Sequence, residues 1–214
     1  MVRFFYCGFL MLLAMLVTCG PIQAKDVKLE LENFIFLETK YGRSIILLYP
    51  KKAPKHVERV RKLVREGFYD GLKFHRVIHG FMAQTGDPKG DGTGGSSHPD
   101  LQAEFNDVPF NRGVIGAARA MNPHSANSQF FICFQAAHHL NRQYTAWGRV
   151  VKGMKFIDKI KRGSLEQNGA VLDPDVIVSM KVATDVPGDH RGVLLPLTPG
   201  YEQQQRRKIL PRMP

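Results

Sequence analysis

The sequence predicts a mainly β protein, a closed eight-stranded antiparallel barrel capped by two α-helices. Eight short runs have the alternating or continuous apolar character of strands, and two segments carry helical spacing. Closing eight strands on themselves removes the sheet edges that would otherwise pair with other chains. Such a barrel is just wide enough inside to be filled by side chains, so a ligand site belongs on its outer surface.

Each element has its own warrant. Val27, Leu29 and Leu31 alternate with Lys28, Glu30 and Glu32, and Phe34 to Leu37 continues the apolar run. After the turn Lys40-Tyr41-Gly42-Arg43 comes Ser44 to Tyr49, which makes a β-hairpin. Pro54 opens a helix whose Val57, Val60 and Val64 recur at three- and four-residue steps, and Gly67 closes it. Further strands are predicted at 74–78, 82–85, 114–118, 130–134, 146–150 and 176–183, with a second helix from Met154 to Lys161 between Gly153 and Gly163.

The ends of the chain differ from this core. Met1-Val2-Arg3 is a short basic start, Phe4 to Val17 is almost uninterruptedly apolar, and Pro21-Ile22-Gln23-Ala24 ends on a small residue before Lys25-Asp26. Residues 1–24 therefore have the grammar of a secretory signal peptide cut near Ala24. The apolar run is shorter than the roughly twenty residues that cross a bilayer, so a membrane anchor by an uncleaved N-terminal segment is the second reading. Residues 25–186 form the folded domain. Residues 187–214 carry prolines, the run Gln203-Gln204-Gln205, five cationic and two anionic side chains and no periodic pattern, the composition of a flexible basic tail.

Composition excludes several classes. The formal net charge is +11, but the cations are scattered from Arg59 to Lys161 and not gathered on one aromatic-laced face, which argues against nucleic-acid binding. Anionic lipid headgroups or acidic client segments suit such a surface better. With the leader removed, Cys133 is the sole cysteine, so no internal disulfide forms and its apolar neighbours make it a small core residue. Gly90 to Ser97 is glycine-rich but has no Gly-Lys-Ser/Thr ending or strand-to-helix context, so it is a close-approach loop and not a phosphate cradle. Ser128 lies inside a strand pattern without a nucleophile elbow. His124, His138 and His139 lack a matching cysteine or carboxylate ligand pattern, so neither metal nor cofactor is expected.

Two strands carry the chemistry. Alternation puts Met82 and Gln84 on one face of their strand and Gln129 and Phe131 on one face of theirs, with Arg76 close by in sequence. Around these residues Gly67-Phe68-Tyr69-Asp70-Gly71, Phe74-His75-Arg76-Val77-Ile78, Gly80-Phe81-Met82-Ala83-Gln84, Gly92-Thr93-Gly94-Gly95, Ser128-Gln129-Phe130-Phe131-Ile132 and Gly148-Arg149-Val150 follow in order. From about residue 34 to 183 the chain resembles the cyclophilins, peptidyl-prolyl cis/trans isomerases, and most of all their bacterial periplasmic branch.

The resemblance implies roles for matched positions. Arg76 matches the arginine at the substrate prolyl amide and, with Gln84 and Phe81, makes up the catalytic set. Phe81, Met82, Phe131 and Leu140 match the pocket for the proline ring, Gln84 and Gln129 the polar groups around the turning bond, and Ala118 the backbone that holds the peptide. Tyr144 stands where many relatives have histidine. His139 stands where many have the tryptophan that helps bind cyclosporin, which implies weak cyclosporin binding. The stretch between Ala118 and Ser128 is one residue longer than in many eukaryotic members, so no role is carried onto Arg119 to Asn122.

The function so implied is acceleration of rotation about X–Pro bonds in unfolded or folding exported proteins by a monomer, most simply in a bacterial periplasm. An apolar surface with amide and guanidinium donors and no nucleophile suits a proline-containing peptide. A proline-recognising chaperone with little turnover is the reading from another class. His75 alternates away from Arg76, as a structural histidine does.

Overall fold

The structure, a computed structural model, describes residues 31–188, 190 and 194. The leader 1–24 and most of the segment 187–214 lie outside the described residues. Eight strands are present: β1 (Phe34–Thr39), β2 (Gly42–Leu48), β3 (Arg76–Ile78), β4 (Met82–Thr85), β5 (Val114–Ala117), β6 (Phe130–Cys133), β7 (Ala146–Lys152) and β8 (Ser179–Val182). They form one antiparallel sheet in the order β3-β4-β6-β5-β7-β2-β1-β8. Two α-helices, α1 (Pro54–Arg65) and α2 (Met154–Ile157), pack on it, with single 3-10 turns at His138–Leu140 and Ala183–Asp185.

The sheet is a curled half-barrel, not the closed barrel expected from the sequence. Its terminal strands β3 and β8 do not pair with each other. An irregular segment takes up the hydrogen bonds that closure would have made. The Val77 N–H donates to the Gly169 carbonyl at 2.8 Å, Gly163 N–H to Val77 at 2.9 Å, Phe74 N–H to Asp175 at 2.8 Å and Gly71 N–H to Ile177 at 2.7 Å. On the outer edge of β8, the Met180 N–H meets the Asp70 carboxylate at 2.8 Å. Both edges thus find partners in loop peptide groups and one side chain, which protects them from foreign strands without a ladder between them.

The concave side holds the main core, in which Ile35, Ile46, Val77, Ala83, Ile115, Ile132 and Trp147 meet the α1 residues Val57, Val60, Leu63 and Val64. Helix α1 starts at Pro54, where the missing N–H costs nothing. Its N-cap, Ala53, offers no side-chain acceptor. Glu104, far along the chain, supplies one: its carboxylate accepts the Lys55 and His56 N–H groups at 3.0 and 2.9 Å. A negative charge at the helix start also suits the helix dipole. Helix α2 is shorter than expected. After Ile157 the chain tightens into i→i−3 bonds, Lys159 N–H to Phe156 and Ile160 N–H to Ile157, so the α-helical pattern ends there.

Two smaller apolar clusters lie on the other side of the sheet. Phe34, Phe36, Ile45 and Leu47 are covered by Ala183 and Leu194, and His190 meets the Phe36 ring edge-on at 5.0 Å. Met82, Phe110, Val114, Phe131, Cys133 and Leu140 form the second. Burial pushes the Cys133 thiol up to about 12, consistent with a packing residue. Among the described residues no helix is long and apolar enough to cross a membrane.

Candidate active site

The register of three strands builds the site. Arg76 lies opposite Gln84 and Ile78 opposite Met82 in the β3–β4 pair, while Gln84 faces Phe131 and Met82 faces Cys133 in the β4–β6 pair. Directly opposed residues share a face of the sheet, so Arg76, Met82, Gln84 and Phe131 all project to the outer side. The intervening Val77, Ala83 and Ile132 point into the core. Gln129, one residue before β6, joins the outer set. The turn at His138–Leu140 adds His139 and Leu140, and Tyr144 closes the rim.

These side chains surround a cavity of about 390 Å³. Of the residues singled out in the sequence, Arg76, Phe81, Met82, Gln84, Ala118, Phe131, His139, Leu140 and Tyr144 line it. Gln129 lines an adjoining hollow of about 410 Å³ that shares Gln84 and Ala118. The floor is aromatic: Phe131 stacks on Phe110 at 5.7 Å and receives the edge of Tyr144 at 5.7 Å. Phe81 and His139 face each other at 5.4 Å on one side.

The polar side of the cavity is a single line of hydrogen bonds. Arg76 donates from Nη1 to Gln84 Oε1 at 3.2 Å, and Gln84 Nε2 donates to Gln129 Oε1 at 2.9 Å. The remainder of the guanidinium is held by one residue. Nε donates to the Asn168 carbonyl and Nη2 to Asn168 Oδ1, each at 2.9 Å. Three of the five N–H groups of the fork are thereby used, which fixes its plane and leaves donors for a ligand. Partial burial pushes the Arg76 guanidinium down from its ordinary value, with Tyr144 opposing. An arginine remains cationic at neutral pH under any such shift.

Asn168, Gln143 and Arg119 belong to this site but do not stand out in the sequence. Asn168 has φ of 52°, a left-handed conformation that asparagine tolerates. An asparagine before a glycine signals a turn, but nothing in that signal points to an arginine 92 positions away. Arg119 lies over the Tyr144 ring at 4.5 Å, and its Nη2 donates to the Gln143 carbonyl at 3.1 Å. His75 is 7% exposed, and burial pushes its pKa down, so it is neutral at pH 7. It borders a neighbouring hollow together with Arg76 and Gln84 and is not among the residues lining the cavity over Phe131.

Residues 34–182 match the family model described as cyclophilin type peptidyl-prolyl cis-trans isomerase/CLD. A probable peptidyl-prolyl cis-trans isomerase of Brucella suis biovar 1 is 53% identical over 180 residues, covering 79% of this chain and 91% of the relative. A peptidyl-prolyl cis-trans isomerase of Helicobacter pylori is 38% identical over 151 residues, covering 68% and 92%. Among solved structures, the cyclophilin AquaCyp293 from Hirschia baltica superposes with a TM-score of 0.66 at 26% identity, covering 78% of this chain and 83% of that one. A Cryptosporidium parvum cyclophilin type isomerase, crystallised in the presence of the dipeptide Ala-Pro, gives 0.65 at 26% identity, covering 70% and 98%. This chain belongs to the cyclophilin-type peptidyl-prolyl cis-trans isomerases.

Proposed function

We propose that the protein accelerates cis/trans exchange of X–Pro bonds in exported proteins, with the proline ring seated on Phe131 and Met82 and with Arg76 acting on the prolyl amide. The observation that carries this reading is a guanidinium with spare donors fixed at the rim of an apolar, aromatic-floored cavity. The presence of Ala-Pro with the Cryptosporidium relative supports a proline-sized occupant.

Resonance gives the peptide bond a rotation barrier of about 18–20 kcal/mol, and an X–Pro bond exchanges unaided in tens to hundreds of seconds, roughly. In the twisted state the prolyl nitrogen turns pyramidal and regains a lone pair. Arg76 donates to that lone pair more strongly than to the planar amide, where the pair is delocalised. An interaction stronger in the transition state than in the ground state is what lowers a barrier. Phe131, Met82, Leu140 and Phe81 hold the ring while the residue before it turns. Gln84 and Asn168 keep the fork from following the substrate. Every atom returns to its place, so no covalent intermediate is needed.

The N-terminal run of the sequence supports export, and a basic surface supports work on acidic or membrane-near clients. A proline-recognising chaperone remains the reading from another class, favoured by the same basic surface. Truncation separates the two. The cut belongs after Leu194, which is 2% exposed in the cluster outside β1 and β2, and not at residue 187. An isomerase without residues 195–214 keeps its rate on a short X–Pro peptide and still speeds refolding of a proline-limited client. Loss of aggregation suppression together with an unchanged, negligible rate in the full chain would favour the chaperone.

A further inference from the structure

The line of hydrogen bonds from Arg76 through Gln84 to Gln129 continues into a loop. Gln129 Nε2 donates to the carbonyls of Gly92 and Gly94 at 3.0 and 2.8 Å. Those acceptors lie in an irregular stretch with no strand or helix of its own. A buried carboxylate organises it. Asp87 is 1% exposed, and its Oδ1 accepts the Lys89 N–H at 2.8 Å while Oδ2 accepts the N–H groups of Gly92 at 2.6 Å and Asp91 at 3.1 Å. One face of the Gly92 peptide region is thus tied to Asp87 and its carbonyl receives Gln129. The loop wraps so closely that a Cβ on Gly94 would stand 2.1 Å from Asp87 Oδ1.

The arrangement sets the polarity of the whole line. A glutamine amide can turn over, exchanging its donor end for its acceptor end at little cost to shape. With two carbonyls in front of it, Gln129 must present NH₂ to the loop, so its oxygen faces Gln84. Gln84 must then present NH₂ to Gln129, and its oxygen faces Arg76. Were the loop carbonyls to move off, Gln129 could reverse, Gln84 would follow, and an NH₂ group would meet a guanidinium that has only donors. Burial works against a charged Asp87, and the N–H groups around it more than offset that, leaving its carboxyl below the usual range.

We propose that Asp87 is a positioning residue for the isomerase: by holding the Gly92 and Gly94 carbonyls it fixes the orientation of the Gln129 and Gln84 amides and, through them, of the Arg76 guanidinium. The inference rests on the isomerase reading of Arg76. Asp87 touches no substrate and reaches the turning bond only through this relay.

The test is a double-mutant cycle on an Ala-Pro peptide, with exchange followed by NMR at saturating and limiting peptide for the parent, Asp87→Asn, Arg76→Ala and the double variant. Asparagine has the shape of Asp87 but sets an NH₂ group against backbone N–H donors. Asp87→Asn lowers kcat about tenfold with KM within about twofold, because the apolar cavity is untouched; in the Arg76→Ala background the same change costs less than about twofold. Should Asp87→Asn fail to fold, Gly94→Ala displaces the same loop by steric overlap and is judged by the same cycle. An unchanged kcat, or an equal loss in both backgrounds, overturns the proposal while leaving a slow Arg76→Ala variant and its reading intact. An Arg76→Ala variant as fast as the parent overturns both.

Discussion

Gly116→Ala probes the floor of the proline cavity with a single added methyl. Gly116 lies opposite Phe131 in the β5–β6 pair, on the outer face of the sheet. A Cβ built there would stand 2.4 Å from Phe131 Cζ and 2.7 Å from Phe110 Cε1. Carbon atoms settle at about 3.5–4.0 Å, so the rings must retreat by roughly 1 Å. Phe110 is 0% exposed and has little room, so the larger displacement falls on Phe131, which stacks on it at 5.7 Å and borders the cavity. Overpacking of this kind costs about 1–3 kcal/mol, and with two rings displaced the upper half of that range applies. For a domain of this size that is a fall in Tm of roughly 4–12 °C. Phe131 moves towards the ligand, so KM for an Ala-Pro peptide rises several-fold while kcat, which the proposal assigns to Arg76, changes little. Thermal melts and NMR exchange measure both. An unchanged Tm together with an unchanged KM would refute the packing of Phe131 against Gly116.

Asn168→Gly keeps the backbone carbonyl that receives Arg76 Nε and loses only the Oδ1 contact, so activity falls by a few-fold at nearly parental stability; Asn168→Ala adds a left-handed alanine and loses about 1 kcal/mol more in urea denaturation. Equal stability of the two variants would contradict the strained φ. His139→Trp puts an indole beside Phe81 and tightens cyclosporin binding by about tenfold or more, on the order of 1.4 kcal/mol, by calorimetry; identical affinities would exclude His139 as a determinant of cyclosporin affinity. Burial lowers the pKa of His56 and His75, so below the unfolded value of about 6.5 the unfolded chain binds more protons than the folded one, and stability falls with pH towards the lowered folded values. His75→Leu loses less stability than the parent between about pH 7 and pH 5.5, read from urea midpoints; parallel losses would place the slope elsewhere.

Strands were legible in the sequence where alternation was strong, as at Met82 and Gln84 or Gln129 and Phe131, because one residue of slip would exchange core and surface. Alternation pairs Met82 with Gln84 and Gln129 with Phe131 within their own strands, while the register that brings Arg76, Gln84 and Phe131 side by side comes only from the folded sheet. Closure was not legible. It depends on whether β3 and β8 meet, and the segment from Gly163 to Asp175, which has no periodic pattern, stands between them. Residues whose partners lie far along the chain were hidden for a related reason. Asn168, Asp87 and Glu104 all act on backbone or guanidinium groups through loops, and Glu104 caps a helix 48 positions away. A local motif cannot announce a partner that only the tertiary fold supplies. Helix α2 ended early because its last turn tightened, a boundary that apolar spacing does not encode.

The measurement closest to the central claim is the exchange rate of a short X–Pro peptide with the folded parent and with Arg76→Ala, compared at saturating peptide. Arg76 is proposed to favour the twisted prolyl amide over the planar one, so the parent accelerates exchange and the variant loses about tenfold or more in kcat, on the order of 1.4 kcal/mol of barrier, while its fold and its affinity for the peptide persist. A variant that turns the bond as fast as the parent would contradict the account, and the catalytic contribution would have to come from the apolar cavity alone.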